Sequence, residues 1–276
     1  MPHPRLPFET PQTGAPSAAG PADASAGQLR DFIAKVPAIT LGFWVVKILA
    51  TTLGETGGDS LSMSMGLGYL TSSLIFALAF AASVILQIRA ARFNQWIYWF
   101  TIAATTTLGT TIADYVDRDL GIGYPGGATI LFICLLASFG LWHRATGTIA
   151  VTSVRTPRTE GFYWLTILCS QTLGTALGDW TADTAGLGYT GGALLFTALL
   201  AAIAAAYRWT HLPHALLFWA AFVLTRPLGA VVGDFLDKPL AKGGLALDRY
   251  AASAVLLGVI IAILTFRRQH PAARPH

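Results

Sequence analysis

Residues 164–189 read WLTILCSQTLGTALGDWTADTAGLGY, and the chain carries this pattern four times. Aligned on a Leu-Gly pair, the copies place Gly54, Gly109, Gly174 and Gly229 in one column. Ten residues before each glycine stands a tryptophan (Trp44, Trp99, Trp164, Trp219), preceded by Phe43, Tyr98, Tyr163 or Phe218. Five residues after it stands Asp59, Asp114, Asp179 or Asp234, and no gap is needed anywhere between. Three copies continue into Gly-x-Gly-Tyr at 66–69, 121–124 and 186–189, whereas the fourth reads KGGLALDRY. A fixed period of this kind defines the architecture before any single residue does.

Composition supplies the environment. The 276 residues are 54% hydrophobic and 12% charged, against about 25% charged residues in a soluble domain. Eight apolar segments follow one another at about 37–58, 67–88, 94–114, 122–142, 160–179, 187–207, 214–234 and 247–266. Each approaches the roughly 20 residues that cross a bilayer as a helix. The expectation is an all-α polytopic membrane protein of eight transmembrane helices. They form four two-helix repeats, at about 37–90, 91–145, 158–210 and 211–268, within a domain spanning 37–266. Residues 1–36, rich in Pro, Ala, Gly and Ser, read as a disordered cytoplasmic tail, and 267–276 as a basic one.

Charge sets the orientation. Arg30, Lys35, Arg89, Arg92, Arg144, Arg155, Arg158, Arg208, Arg267 and Arg268 fall on one side, where both termini lie. Only Arg118, Lys238, Lys242 and Arg249 fall on the other, with nearly all the aspartates. The positive-inside rule places both termini in the cytoplasm, and a bacterial inner membrane is expected. The charge of +4 is sorted by membrane side and does not indicate nucleic-acid binding. Two spans per repeat keep all copies parallel, so they relate by an axis along the membrane normal. Copies one and two are 55 residues apart, as are three and four, while two and three are 65 apart. The even copies share Asp117-Arg118 and Asp237-Lys238, so the history reads as a duplicated duplication.

At about 100° per residue the glycine, the residue four later, the residue three earlier, the tryptophan and the aspartate share one side of a helix. Gly54 with Gly58, Gly109 with Ala113, Gly174 with Gly178 and Gly229 with Gly233 form small-xxx-small pairs that permit close helix packing in lipid. Three residues before each glycine stands Thr51, Thr106, Gln171 or Arg226 on the same inward side. Lys47 and Arg226 are the bases deep in the spans, and Glu55, one turn from Thr51, can pair with either.

The aromatic-Trp, Leu-Gly-xxx-small-Asp, Gly-x-Gly-Tyr pattern over residues 40–266 resembles a family of bacterial membrane proteins. That family is built from four tandem repeats, each with two transmembrane segments and a characteristic tryptophan, and is labelled a repeat of unknown function or a membrane-anchored protein. The resemblance implies the topology and brings no activity.

Function must therefore come from the residues. Gathered carboxylates (Asp59, Asp114, Asp179, Asp234, Glu55 and Asp183) offer oxygen ligands suited to hard or borderline divalent ions. The expected function is transport of a cation such as Mn²⁺ or Mg²⁺, with proton-coupled export as its form. Lys47, Arg226, Gln171, Thr51, Thr106 and the four tryptophans would line the path or supply counter-charge. A bound divalent cation is compatible and no cofactor is required. The expected partners are the lipid bilayer and a small cation, and an oligomer is left open. A tryptophan-lined path would instead suit an organic-cation or drug exporter through cation–π contact. A structural role, with each Asp capping a turn or binding loop bases, would suit a non-transporting scaffold or sensor. No nucleophile–base pair, phosphate loop or HExxH stands in the sequence, so an enzyme is not expected.

Overall fold

The computed structural model describes residues 34–272. The tail expected at 1–36 lies outside the described residues up to 33, as do residues 273–276. Eight long helices carry the fold. They are α1 (Leu41–Asp59), α2 (Gly68–Arg89), α3 (Gln95–Asp114), α4 (Tyr124–Thr146), α5 (Pro157–Asp179), α6 (Gly188–Trp209), α7 (His214–Asp237) and α8 (Arg249–Phe266). Thr40, Asn94, Thr156 and Asp248 cap the starts of α1, α3, α5 and α8 through their side chains, satisfying amides that have no partner inside the helix.

The repeat shapes the turns as well. After α1, α3 and α5 a single π-helical turn runs over Ser60–Ser64, Tyr115–Asp119 or Trp180–Thr184. Each leads into a Gly-x-Gly whose two glycines have positive φ, as at Gly121 (68°) and Gly123 (77°). Only glycine adopts that conformation without strain. The fourth copy departs in structure where it departs in sequence. There α7 runs on to Asp237, and a short 3₁₀ turn, Leu240–Lys242, replaces the π turn.

The packing order is cyclic. α1 lies against α3, α3 against α5, α5 against α7, and α7 against α1, so the first helices of the repeats close a ring. Each second helix packs on the first helix of the following repeat: α2 on α3, α4 on α5, α6 on α7, and α8 back on α1. Ser73 Oγ bonds Thr111 Oγ1 at 2.9 Å between α2 and α3, and Ser253 Oγ bonds Thr56 Oγ1 at 2.8 Å between α8 and α1.

The glycine column is what lets the ring close. A Cβ on Gly54 would collide with the Thr106 side chain, one on Gly109 with the Gln171 and Thr172 backbone, one on Gly174 with Arg226, and one on Gly229 with Thr51. Each glycine thus receives the residue three before the glycine of the next repeat, and the fourth receives that of the first. The second small position repeats the register: Gly58 faces Thr110, Gly178 faces Ala230, and Gly233 faces Glu55. Threonines add bonds to neighbouring backbones, from Thr110 Oγ1 to the Gly54 carbonyl (3.1 Å) and from Thr51 Oγ1 to the Thr225 carbonyl (3.2 Å).

Five helices, α2, α4, α6, α7 and α8, are long and apolar enough to cross a membrane; α1, α3 and α5 are not, by length and composition. Each of the eight segments expected from the sequence is helical. Helices α1, α3 and α5 belong to the ring and hold buried threonines and ionisable groups, whereas α2 has only 11% of its apolar window buried.

At the tryptophan end the first and last described residues meet. The Ala38 amide donates to the His270 carbonyl at 2.8 Å, and the Ala272 amide to the Val36 carbonyl at 2.9 Å. Ala34, Val36 and Ala272 are buried, so residues 34–36 and 270–272 form part of the folded unit. Lys35 holds this cover with an ion pair to Glu160 (2.7 Å) and a bond to the Ile88 carbonyl (3.0 Å).

The ring contacts predict which glycines tolerate a methyl group. Gly229→Ala should destabilise the purified protein by about 1–3 kcal/mol. Gly161→Ala, with nothing within 4 Å of the added carbon, should be neutral or stabilise by up to about 1 kcal/mol. Thermal midpoints in one detergent would check both.

Candidate functional site

Every fourth residue of each ring helix is buried, which defines five layers along the ring axis. The first contains Phe43, Tyr98, Tyr163 and Phe218; the second Lys47, Ile102, Ile167 and Phe222; the third Thr51, Thr106, Gln171 and Arg226. The fourth contains Glu55, Thr110, Thr175 and Ala230, and the fifth the four aspartates. All twenty are at most 6% exposed. Contacts between diagonally opposite helices place the third and fourth layers on the axis. Lys47 Nζ of α1 donates to Gln171 Oε1 of α5 at 3.3 Å, and Arg226 Nη2 of α7 donates to Thr110 Oγ1 of α3 at 2.6 Å.

Arg226 is the hub. The same Nη2 contacts Glu55 Oε2 at 2.9 Å and Thr175 Oγ1 at 2.5 Å, so one guanidinium touches all three other ring helices. Of the two bases offered to Glu55 by the sequence, Arg226 takes it. Lys47 reaches Gln171 and lies 4.2 Å from the centre of the Phe222 ring. Thr51 and Thr106 sit against Gly229 and Gly54 as packing residues of the ring.

The aspartates gather at one end of the ring, in two groups. Arg118 bridges Asp114 (3.1 Å) of its own repeat and Asp179 (3.3 Å) of the next. Lys238 bridges Asp234 (3.0 Å) of its own repeat and Asp59 of the next around the ring. The base of each even copy thus joins its own aspartate to its neighbour's, giving a twofold pattern within a fourfold frame. Burial alone would lower the pKa of either base, but the flanking carboxylates outweigh it and hold both above their ordinary values. Arg249 adds an ion pair to Asp237 and stands 3.8 Å from Asp59.

Of the six acids named from the sequence, Glu55, Asp59 and Asp234 bring carboxylate oxygens within 4.8 Å of one another. Asp114 and Asp179 form the second group around Arg118. Asp183 is exposed and accepts from the Tyr124 hydroxyl at 3.3 Å, so it does not join the others. The converging trio could hold one cation through oxygen ligands alone.

Trp99, Trp164 and Trp219 are buried, and all four repeat tryptophans pack between ring helices. Each packs on the aromatic that precedes the tryptophan of the previous repeat: Trp99 on Phe43 (5.5 Å between ring centres), Trp164 on Tyr98 (5.6 Å), Trp219 on Tyr163 (6.1 Å) and Trp44 on Phe218 (5.8 Å). The column closes the ring a second time. Trp99 Nε1 donates to Gln269 Oε1 (2.8 Å) and Trp219 Nε1 to the Ile149 carbonyl (3.0 Å), which satisfies buried donors. The axial aromatics are instead the preceding residues, where the Tyr98 and Tyr163 hydroxyls bond at 2.7 Å. Trp44, partly exposed, borders a lateral cleft of about 460 Å³ between α1, α6 and α7.

Sequence reasoning missed Thr110 and Thr175, which stand in the column of Glu55, and did not say which loop bases the aspartates bind. The signal was present: Lys47, Thr51, Glu55 and Asp59 follow one another at intervals of four.

A closed ring of helices with apolar outer helices and ionisable groups at its centre defines a repeat-built helical membrane protein. The chain belongs to the family described as Repeat of Unknown Function (DUF347), which matches residues 42–93, 97–148, 162–212 and 217–269. The resemblance read from the sequence is thereby borne out. Comparison with curated proteins and with solved structures gives no match.

The Arg226 hub predicts a non-additive pair. Glu55→Ala leaves the guanidinium without its carboxylate and should cost about 3–5 kcal/mol, while Glu55→Ala with Arg226→Met should recover most of that. Thermal midpoints of the two variants and the wild type would check it.

Proposed function

We propose that the protein is a secondary transporter of a small cation, with a divalent metal ion such as Mn²⁺ or Mg²⁺ as substrate and export against protons as its direction. The observation that carries this reading is the convergence of Glu55, Asp59 and Asp234, buried at the end of a membrane-type helical ring. Buried ion pairs can often be replaced by apolar residues without loss of stability. Ionisable groups retained inside a membrane domain therefore favour function over packing.

In this reading all eight helices span the bilayer around an axis along its normal. The three less apolar ring helices would be shielded by the outer helices packed on the ring. The lysines and arginines at the tryptophan end put that end, with both termini, in the cytoplasm of a bacterial inner membrane. An incoming cation would take the position of the Lys238 ammonium between Asp59 and Asp234. Glu55, one turn deeper, would leave Arg226 to become the third ligand. Lys238 and Arg118 then act as tethered counter-ions that hold the carboxylates when no substrate is bound. No cofactor and no enzymatic step enter this scheme.

One observation favours a non-transporting scaffold: all five layers are buried from solvent. For the organic-cation reading the indole at a cleft is Trp44, while Trp99, Trp164 and Trp219 are buried.

Elemental content of cells producing the wild type, compared with Asp59→Asn plus Asp234→Asn, separates these readings. The transporter reading expects one metal to shift severalfold in the wild type alone, with the sign giving the direction. No shift under several metal loads would overturn it and leave the scaffold.

A further inference from the structure

The middle of the ring holds a set of buried donors that the acidic trio does not use. In the second, third and fourth layers the charged residues are Lys47, Arg226 and Glu55, two bases against one acid. All three are buried. Among the described residues no carboxylate stands within ion-pair distance of Lys47. Its ammonium has only the Gln171 amide oxygen and the Phe222 ring face.

Arg226 and Gln171 also have donors left over. Arg226 uses Nη2 for Glu55, Thr110 and Thr175, whereas its Nε and Nη1 have no hydrogen-bond partner among the described residues. The same holds for Gln171 Nε2, on the residue whose side-chain oxygen already accepts from Lys47. Amide and guanidinium nitrogens can only donate. A buried donor without an acceptor is costly, and an unbalanced charge more so. One species answers both conditions: an acceptor that carries a single negative charge.

We infer that the ring holds a site for a monovalent, weakly hydrated anion of halide type between Lys47 and Arg226, completed by the Gln171 amide. One bound negative charge brings the three layers to neutrality. A doubly charged oxyanion would reverse the imbalance instead of removing it. The site lies on the axis, deeper than the Glu55, Asp59 and Asp234 trio. It does not depend on the transporter reading.

The test is equilibrium binding of radiolabelled chloride to the full chain in lipid nanodiscs, with sodium gluconate holding ionic strength constant. Saturable binding displaced by bromide is expected at neutral pH. Lys47→Met and Gln171→Leu should each weaken it at least tenfold while the protein elutes as a single folded species. Gln171→Leu keeps both bases, so it decides the matter by itself if Lys47→Met fails to fold. Absence of saturable binding in the wild type would overturn the site, because it would mean that Lys47 is neutral or that water satisfies the donors. Wild-type affinity in Gln171→Leu would overturn it equally. Chloride binding in a protein that shifts no metal would leave this site standing while removing the cation-transport reading.

Discussion

The close approach of each ring helix to the next is the constraint on which the other features depend. Lipid offers no hydrophobic drive for helix association, so backbones must come near enough for dispersion and interhelical hydrogen bonds to act. Gly54, Gly109, Gly174 and Gly229 supply that approach, each receiving the side chain or backbone of the following repeat. Because the fourth glycine receives Thr51 of the first repeat, the chain of contacts has no free end. The tryptophan column repeats the closure nearer the other end of the helices, with Trp44 seated on Phe218.

Once the ring is closed, the positions at intervals of four follow its axis. Residues four apart form an inclined ridge on a helix, and those ridges carry Lys47, Thr51, Glu55 and Asp59 and their counterparts. An aromatic layer, a lysine layer, an arginine layer, a glutamate layer and an aspartate layer succeed one another along it. Divergence between the copies makes the centre chemically specific. Four identical helices would present four identical side chains at each level, whereas this ring opposes Lys47 to Gln171 and Arg226 to Thr110. At the aspartate end the divergence is of odd from even copies, and Arg118 and Lys238 each tie two carboxylates.

Much of this was legible from residue order. The repeat, the glycine face, the paired helices and the inward position of Lys47 and Arg226 all follow from spacing and a helical wheel. The reading stayed open where one face of a helix serves two neighbours. On the wheel the tryptophan and the residue before it lie about 100° apart, and nothing in one helix says which of them points to the axis. The indole went to the adjacent helix and Tyr98 and Tyr163 to the centre. Nor did the reading separate α1, α3 and α5 from the other helices, and these need not be as apolar when other helices cover them.

The sequence by itself determined the number of repeats, the helix pairs, the small-residue contacts and the sorting of charge, because each is a property of spacing along one chain. Only the tertiary structure decided which charges meet. Glu55 could pair with either base until ring order put Arg226 on the adjacent helix. The six acids could form one cluster until Arg118 and Lys238 divided four of them into two groups and Asp183 stayed exposed. The physical reason is the same in both cases. Coulombic and hydrogen-bond partners are chosen over a few ångströms, and those distances are set between helices that lie 50 to 180 residues apart in the chain, as Lys238 does from Asp59 (179 residues).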